Sequence, residues 1–241
     1  MVSLLAALVA LAAFPAVHDL AVRAPGEDTL APYSGTCPRC LHLRGWAKAQ
    51  CPECGRRIRR EPWLGVATAL AAALVAATLG WSWVLPAYLL FVLLTTALLL
   101  TDLDHMRIVD RLNLPGTVMA LALLIAGAFL DGDGRRLVVA GQGAGAYALG
   151  ALILFLIARG GFGFGDVKLA VSIGAFTGYL GWGVLGRAVV TTAILGGLAS
   201  LALLALGRAS ARTELPYGPF MIVGGWVAII LAGGLGGTIL T

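Results

Sequence analysis

The chain has 241 residues, of which 59% are hydrophobic and 12% charged, and its mean hydropathy is +0.92. A water-soluble domain carries roughly 25% charged residues, so the composition excludes an ordinary soluble protein and points to an integral membrane protein. The net charge of +5 is unevenly placed, and the placement reads as a topology signal in a lipid bilayer, not as a nucleic-acid footprint.

The first uncharged run, Met1–Val17, has no basic residue before it, the first being Arg23. A secretory signal needs a basic start, so a retained anchor with its N-terminus outside is expected over residues 1–17. Residues 18–63 form the one sizeable polar segment, opening with the linker-like stretch RAPGEDTLAPYSG and closing on the basic run Arg56-Arg57-Ile58-Arg59-Arg60. The uncharged run Pro62–Thr101 follows. A spanning helix needs about 20 apolar residues, so this run is predicted to hold two helices, turned near Gly80-Trp81-Ser82-Trp83. Further uncharged runs cover Leu112–Leu130, Leu137–Ala158, Leu169–Gly186, Ala188–Gly207 and Leu215–Thr241. The expected fold is therefore all-α: a polytopic helical bundle of about eight spans, with residues 64–241 as its main membrane domain. Asp131-Gly132-Asp133-Gly134 reads as an outer turn, since a calcium loop would need more ligands and a terminal Glu.

With the N-terminus outside, fourteen Lys and Arg residues fall on the inner side, and only Arg135, Arg136 and Arg187 fall outside. The bias sets the orientation by the positive-inside rule. It puts the polar segment 18–63 and both acidic motifs described below in the cytoplasm.

Within the polar segment, Cys37-Pro38-Arg39-Cys40 and Cys51-Pro52-Glu53-Cys54-Gly55 are two C-P-x-C knuckles. Each brings two sulfurs close enough to share one metal, and four thiolates suit a tetrahedral structural zinc. Disulfides are disfavoured in a reducing cytoplasm, while iron is the other metal the ligand set admits. With four protein ligands no position is open, so such a zinc would hold the segment together and leave catalysis elsewhere.

Two acidic segments, TDLDHMRIVD at 101–110 and GFGFGDVK at 161–168, abut the ends of long uncharged runs. Carboxylates are costly at a membrane edge, so function is the default reading. Asp102, Asp104 and Asp110 crowd one predicted loop, with Arg107 and Arg111 nearby, and a solvated loop suffices for Asp104. Asp166 is different, because Gly161, Gly163 and Gly165 strip side chains from the backbone before it and permit a close approach or an unusual turn. Two carboxylates sharing one proton can act as acid and base on one water. An ion-coupled transporter would also use membrane-edge carboxylates, but it predicts polar groups at mid-bilayer, and here the acids stand at span ends. A membrane-tethered zinc module would leave the Gly-rich Asp loop unexplained. The H-E-x-x-H pattern of a metalloprotease is absent from the sequence.

At these residues the chain resembles the type IV prepilin peptidases, membrane aspartyl proteases with a G-x-G-D signature. Gly163-Phe164-Gly165-Asp166 with Val167-Lys168-Leu169 matches that signature and its continuation. Thr101-Asp102, then Asp110 and Leu112-Asn113-Leu114-Pro115, matches the first acidic motif, and Pro216-Tyr217-Gly218-Pro219-Phe220 resembles a C-terminal P-[FY]-G-P-F element. The paired C-P-x-C knuckles match the zinc segment of larger bacterial members. The resemblance implies that Asp102 and Asp166 are the catalytic pair, with Gly163, Gly165, Lys168 and Asp110 in support. It also implies cleavage of the leader of prepilins or pseudopilins, at the cytoplasmic face of a bacterial inner membrane. Many members then methylate the new N-terminus with S-adenosylmethionine. The G-S-F-x-N-V-x-x-x-R-L-P-like motif that follows the first helix in the family is not recognisable in HDLAVRAPGEDTLAPYSG. The expectation is therefore peptidase activity, with S-adenosylmethionine a cofactor only if methylation is present.

Overall fold

The computed structural model describes residues 1–23, 62–105, 108–157, 163–206 and 217–233. Among these residues the chain forms eight helices and no strand: α1 (Val2–Arg23), α2 (Pro62–Leu79), α3 (Leu85–His105), α4 (Asp110–Leu130), α5 (Arg136–Ile157), α6 (Phe164–Tyr179), α7 (Trp182–Ala205) and α8 (Gly218–Ala232). Hydrocarbon offers no partner to a peptide group, so each apolar run closes its own hydrogen bonds as a helix. The spans Leu85–Leu103, Asp110–Leu130, Arg136–Ile157 and Trp182–Ala205 are long and apolar enough to cross a membrane, and shorter apolar helices cover Val2–Val17, Trp63–Leu79 and Gly218–Ala232. Cys37, Cys40, Cys51 and Cys54 lie outside the described residues, as do Arg107 and the side chain of Asp104.

The predicted break in the long run Pro62–Thr101 falls between α2 and α3, where Gly80 has φ +67°, a left-handed conformation that glycine adopts without penalty. Asp131-Gly132-Asp133-Gly134 is the turn between α4 and α5. Two expectations change. The break between the runs Leu169–Gly186 and Ala188–Gly207 lies at Gly181, with φ +119°, and not at Arg187, which sits inside α7. Charge marked the wrong position because a backbone turn, and not a polar residue, ends α6. Asp102 and Asp166 stand on helices α3 and α6, not in loops.

Helices α3, α6 and α8 form the centre. The α3 span is 78% buried, whereas those of α5 and α7 are 17% buried and turn apolar side chains such as Leu149, Ile153, Ile194 and Leu198 outward. Because lipid is as apolar as the core, these helices associate through close packing and internal hydrogen bonds. Inside, Phe91 stacks on Phe176 at 4.4 Å and Tyr88 meets it edge-on at 5.0 Å. Tyr88 also donates a 2.7 Å hydrogen bond to the Phe176 carbonyl, fastening α3 to α6. Trp226 Nε1 donates to Thr95 Oγ1 at 3.0 Å, fastening α8 to α3. At the start of α3, the Asp131 carboxylate accepts the backbone N–H groups of Trp83 and Val84 at 3.0 and 3.2 Å. Those are donors that the first turn of a helix cannot satisfy internally.

Candidate active site

Three helix ends converge at one end of the bundle. Asp102 stands in the last turn of α3, Asp166 is the third residue of α6, and Gly218 is the first of α8. Both carboxylates are buried, at 4% and 6% exposure, and they share one neighbour. A Cβ built on Gly218 would lie 2.6 Å from Asp102 Oδ2 and 3.3 Å from Asp166 Oδ1. The two oxygens are thus no further apart than the sum of those distances. Motifs 64 residues apart in sequence meet across the missing side chain of a third.

Asp166 is fixed by its own helix start. Its Oδ2 accepts the backbone N–H of Gly163 at 3.2 Å, and its N–H donates to the Gly163 carbonyl at 3.1 Å. The N-terminus of α6 is also the end of the helix dipole that favours a negative charge. Gly163 has φ −80°, so no unusual turn is present there. Gly165 serves the close approach instead, since a Cβ on it would sit 2.9 Å from Ile108 Cβ. Asp166 precedes the apolar stretch of α6. Asp102 Oδ2 is buried and accepts no hydrogen bond from the described residues.

The supporting residues predicted from sequence separate by role. Lys168 pairs with Asp110, joining α6 to the first residue of α4, and its Nζ lies 5.2 Å from the Phe164 ring centre. Both partners of the pair are exposed, so it adds little stability. It fixes where α4 begins relative to Asp166 without touching the carboxylate pair. The site also includes residues that carried no sequence-derived role. Tyr147 on α5 donates to Thr192 Oγ1 on α7 at 3.3 Å, and Thr192 donates to the Phe220 carbonyl on α8 at 3.4 Å. Tyr217 lays its ring against Gly196, where a Cβ would come within 2.7 Å of it. Burial and the nearby Asp166 charge raise the Tyr217 hydroxyl pKa, which keeps it neutral. The P-Y-G-P-F stretch was the available signal for Tyr217 and Gly218. Tyr147 and Thr192 had none, being hydroxyl-bearing residues inside long uncharged runs. No group of three or more His, Cys, Asp or Glu side chains that could hold a metal occurs among the described residues.

The fold and site define a multi-pass membrane helical protein with a buried pair of carboxylates at one end of its bundle. The sequence profile of the type IV leader peptidase family matches residues 89–238, a stretch that contains both carboxylates and Gly218. Among curated relatives, the prepilin leader peptidase/N-methyltransferase of Aeromonas hydrophila is 31% identical over 228 residues, covering 88% of this chain and 76% of the relative. The protein of the same name from Aeromonas salmonicida is 31% identical over 80% of this chain and 70% of its own. That of Pseudomonas aeruginosa is 28% identical over 82% and 71%. No solved structure matches the chain. The chain belongs to the type IV leader peptidase family.

Proposed function

We propose that this protein is an aspartyl endopeptidase that cuts the leader peptide from prepilins or pseudopilins at the cytoplasmic face of a bacterial inner membrane. The observation that carries this reading is the convergence of Asp102 Oδ2 and Asp166 Oδ1 on one point at Gly218. Repulsion between two buried carboxylates keeps one proton on the pair. The ionised member takes a proton from a water held between them, and the water oxygen bonds to the scissile carbonyl carbon. The protonated member gives its proton to the carbonyl oxygen. When the tetrahedral intermediate collapses, the C–N bond breaks, the hydroxyl proton returns to the pair and the leaving nitrogen takes up a proton. The titration belongs to the pair and not to either residue alone.

The eight helices, on this reading, all lie in the bilayer, with residues 1–17, 18–63 and 64–241 as anchor, cytoplasmic segment and peptidase domain. The inward excess of Lys and Arg supports placing Asp102 and Asp166 on the cytoplasmic side. The donor set Cys37, Cys40, Cys51 and Cys54 fits a structural zinc, which would brace residues 37–54. The printed names of the relatives pair peptidase with N-methyltransferase. We propose cleavage without methylation here, because the family's motif is not recognisable in residues 18–36.

The test is incubation of membranes containing the protein with a prepilin. Asp102→Asn and Asp166→Asn should each abolish cleavage while the protein still inserts, since Asn keeps the size but cannot exchange the proton. Near-normal processing by either variant refutes the pair.

A further inference from the structure

Gly218 sits where a side chain would enter the gap between the two carboxylates, and the first turn of α8 is braced so that it cannot retreat. Pro219 follows at the start of the helix, and its ring fixes the backbone there. The Phe220 carbonyl is held by Thr192 at 3.4 Å. Tyr217, immediately before, is wedged against Gly196. On the opposite side, Asp102 Oδ2 is buried, faces Gly218 and accepts no hydrogen bond from the described residues. A buried polar atom of this kind is normally paired, so its free lone pairs point to a ligand held in this gap.

Resting on the reading of Asp102 and Asp166 as the reacting pair, we infer that Gly218 is a positioning residue, its absent side chain reserving the space for the attacking water and the scissile carbonyl. A methyl group there would occupy a point 2.6 Å from Asp102 Oδ2 and 3.3 Å from Asp166 Oδ1. Both are closer than carbon and oxygen tolerate without movement. With α8 braced, the carboxylates must turn away or the water is displaced. Substrate contacts distant from the gap are untouched, so binding should survive while turnover fails.

The experiment compares Gly218→Ala with Gly233→Ala in purified protein cleaving a prepilin. Gly233 lies at the opposite end of α8, where a Cβ would crowd Thr78 Cγ2 at 2.9 Å, so it reports on crowding of the same helix away from the site. Gly218→Ala should lose about 100-fold or more in kcat, the scale of loss expected from small misplacement of reacting groups. Its KM should stay within about twofold of wild type, and its thermal midpoint should match wild type. Gly233→Ala should keep wild-type kcat. Retained kcat in Gly218→Ala overturns the inference. So does failure of that variant to insert, or a fall in its thermal midpoint accompanying the activity loss, either of which would mark Gly218 as plain helix packing. Asp102→Asn and Asp166→Asn in the same assay report on the pair separately. If they abolish cleavage and Gly218→Ala does not, this inference alone fails.

Discussion

Gly143 on α5 and Gly174 on α6 approach so closely that a Cβ on either would meet the other's carbonyl oxygen, at 2.6 and 2.5 Å. Gly178, one turn further along α6, repeats the contact against the Val139 carbonyl at 2.9 Å. Small residues let backbones touch where no hydrophobic force drives helices together. Gly174→Leu should therefore lower stability by at least about 1–3 kcal/mol, read as a fall in the thermal midpoint in detergent. Gly141→Leu, on the same α5 but with nothing within 4 Å, should leave the midpoint unchanged. Equal effects would show that the seam is not glycine-dependent.

The proton on the carboxylate pair sets a pH limit. The pair acts with one carboxyl protonated and the other ionised. Cleavage should therefore fall in acid, where the pair gains a second proton, and in alkali, where it loses its last one. A pH profile of kcat that is flat across both limbs contradicts this assignment.

The cysteine segment predicts one zinc per chain by metal analysis of the purified protein, lost on Cys37→Ser or Cys54→Ser. Since a closed four-thiolate site has no open position, these variants should fold less well in residues 37–54 yet retain measurable cleavage. Iron in place of zinc, or intact disulfides in cytoplasmic preparations, would be the contrary result.

Mass spectrometry of the mature pilin N-terminus, after reaction with S-adenosylmethionine present, tests the methylation question. The expected mass is that of the cleaved, unmodified chain. A small-molecule site of roughly 300 Å³ or more would have to be assembled from a short segment that, on the proposed reading, already holds a zinc knuckle. A gain of one methyl group that depends on this protein would establish the second activity.

Much of this architecture was legible in the sequence because runs free of charge are long and discrete, and the Gly80 turn and the Asp131–Gly134 turn fall where they were expected. The end of α6 was hidden for a physical reason. Leu180 and Gly181 interrupt the helix without any polar residue, while Arg187 is carried inside α7. Asp102 stood out by its span-end position, and Asp166 also by the glycines before it. Their meeting was implied only by the family resemblance, since the residues alone do not say how α3, α6 and α8 cross. Tyr147 and Thr192 stayed invisible because neither helical periodicity nor a motif separates one bundle-facing hydroxyl from its apolar neighbours.

The Asp131 carboxylate, fastened to the N–H groups of Trp83 and Val84, has a bearing on the opposite end of the molecule. From Val84 to Asp102 the chain rises as one helix, about 27 Å at 1.5 Å per residue. The depth and compass heading of Asp102 are therefore surveyed from a benchmark on the far side of the bundle. Deleting one residue from α3 between them, with the anchor kept, would swing Asp102 by about 100° and aim it away from Asp166. Loop lengths elsewhere can drift in such a bundle, but the residue count along α3 is a gauge that the carboxylate pair cannot do without.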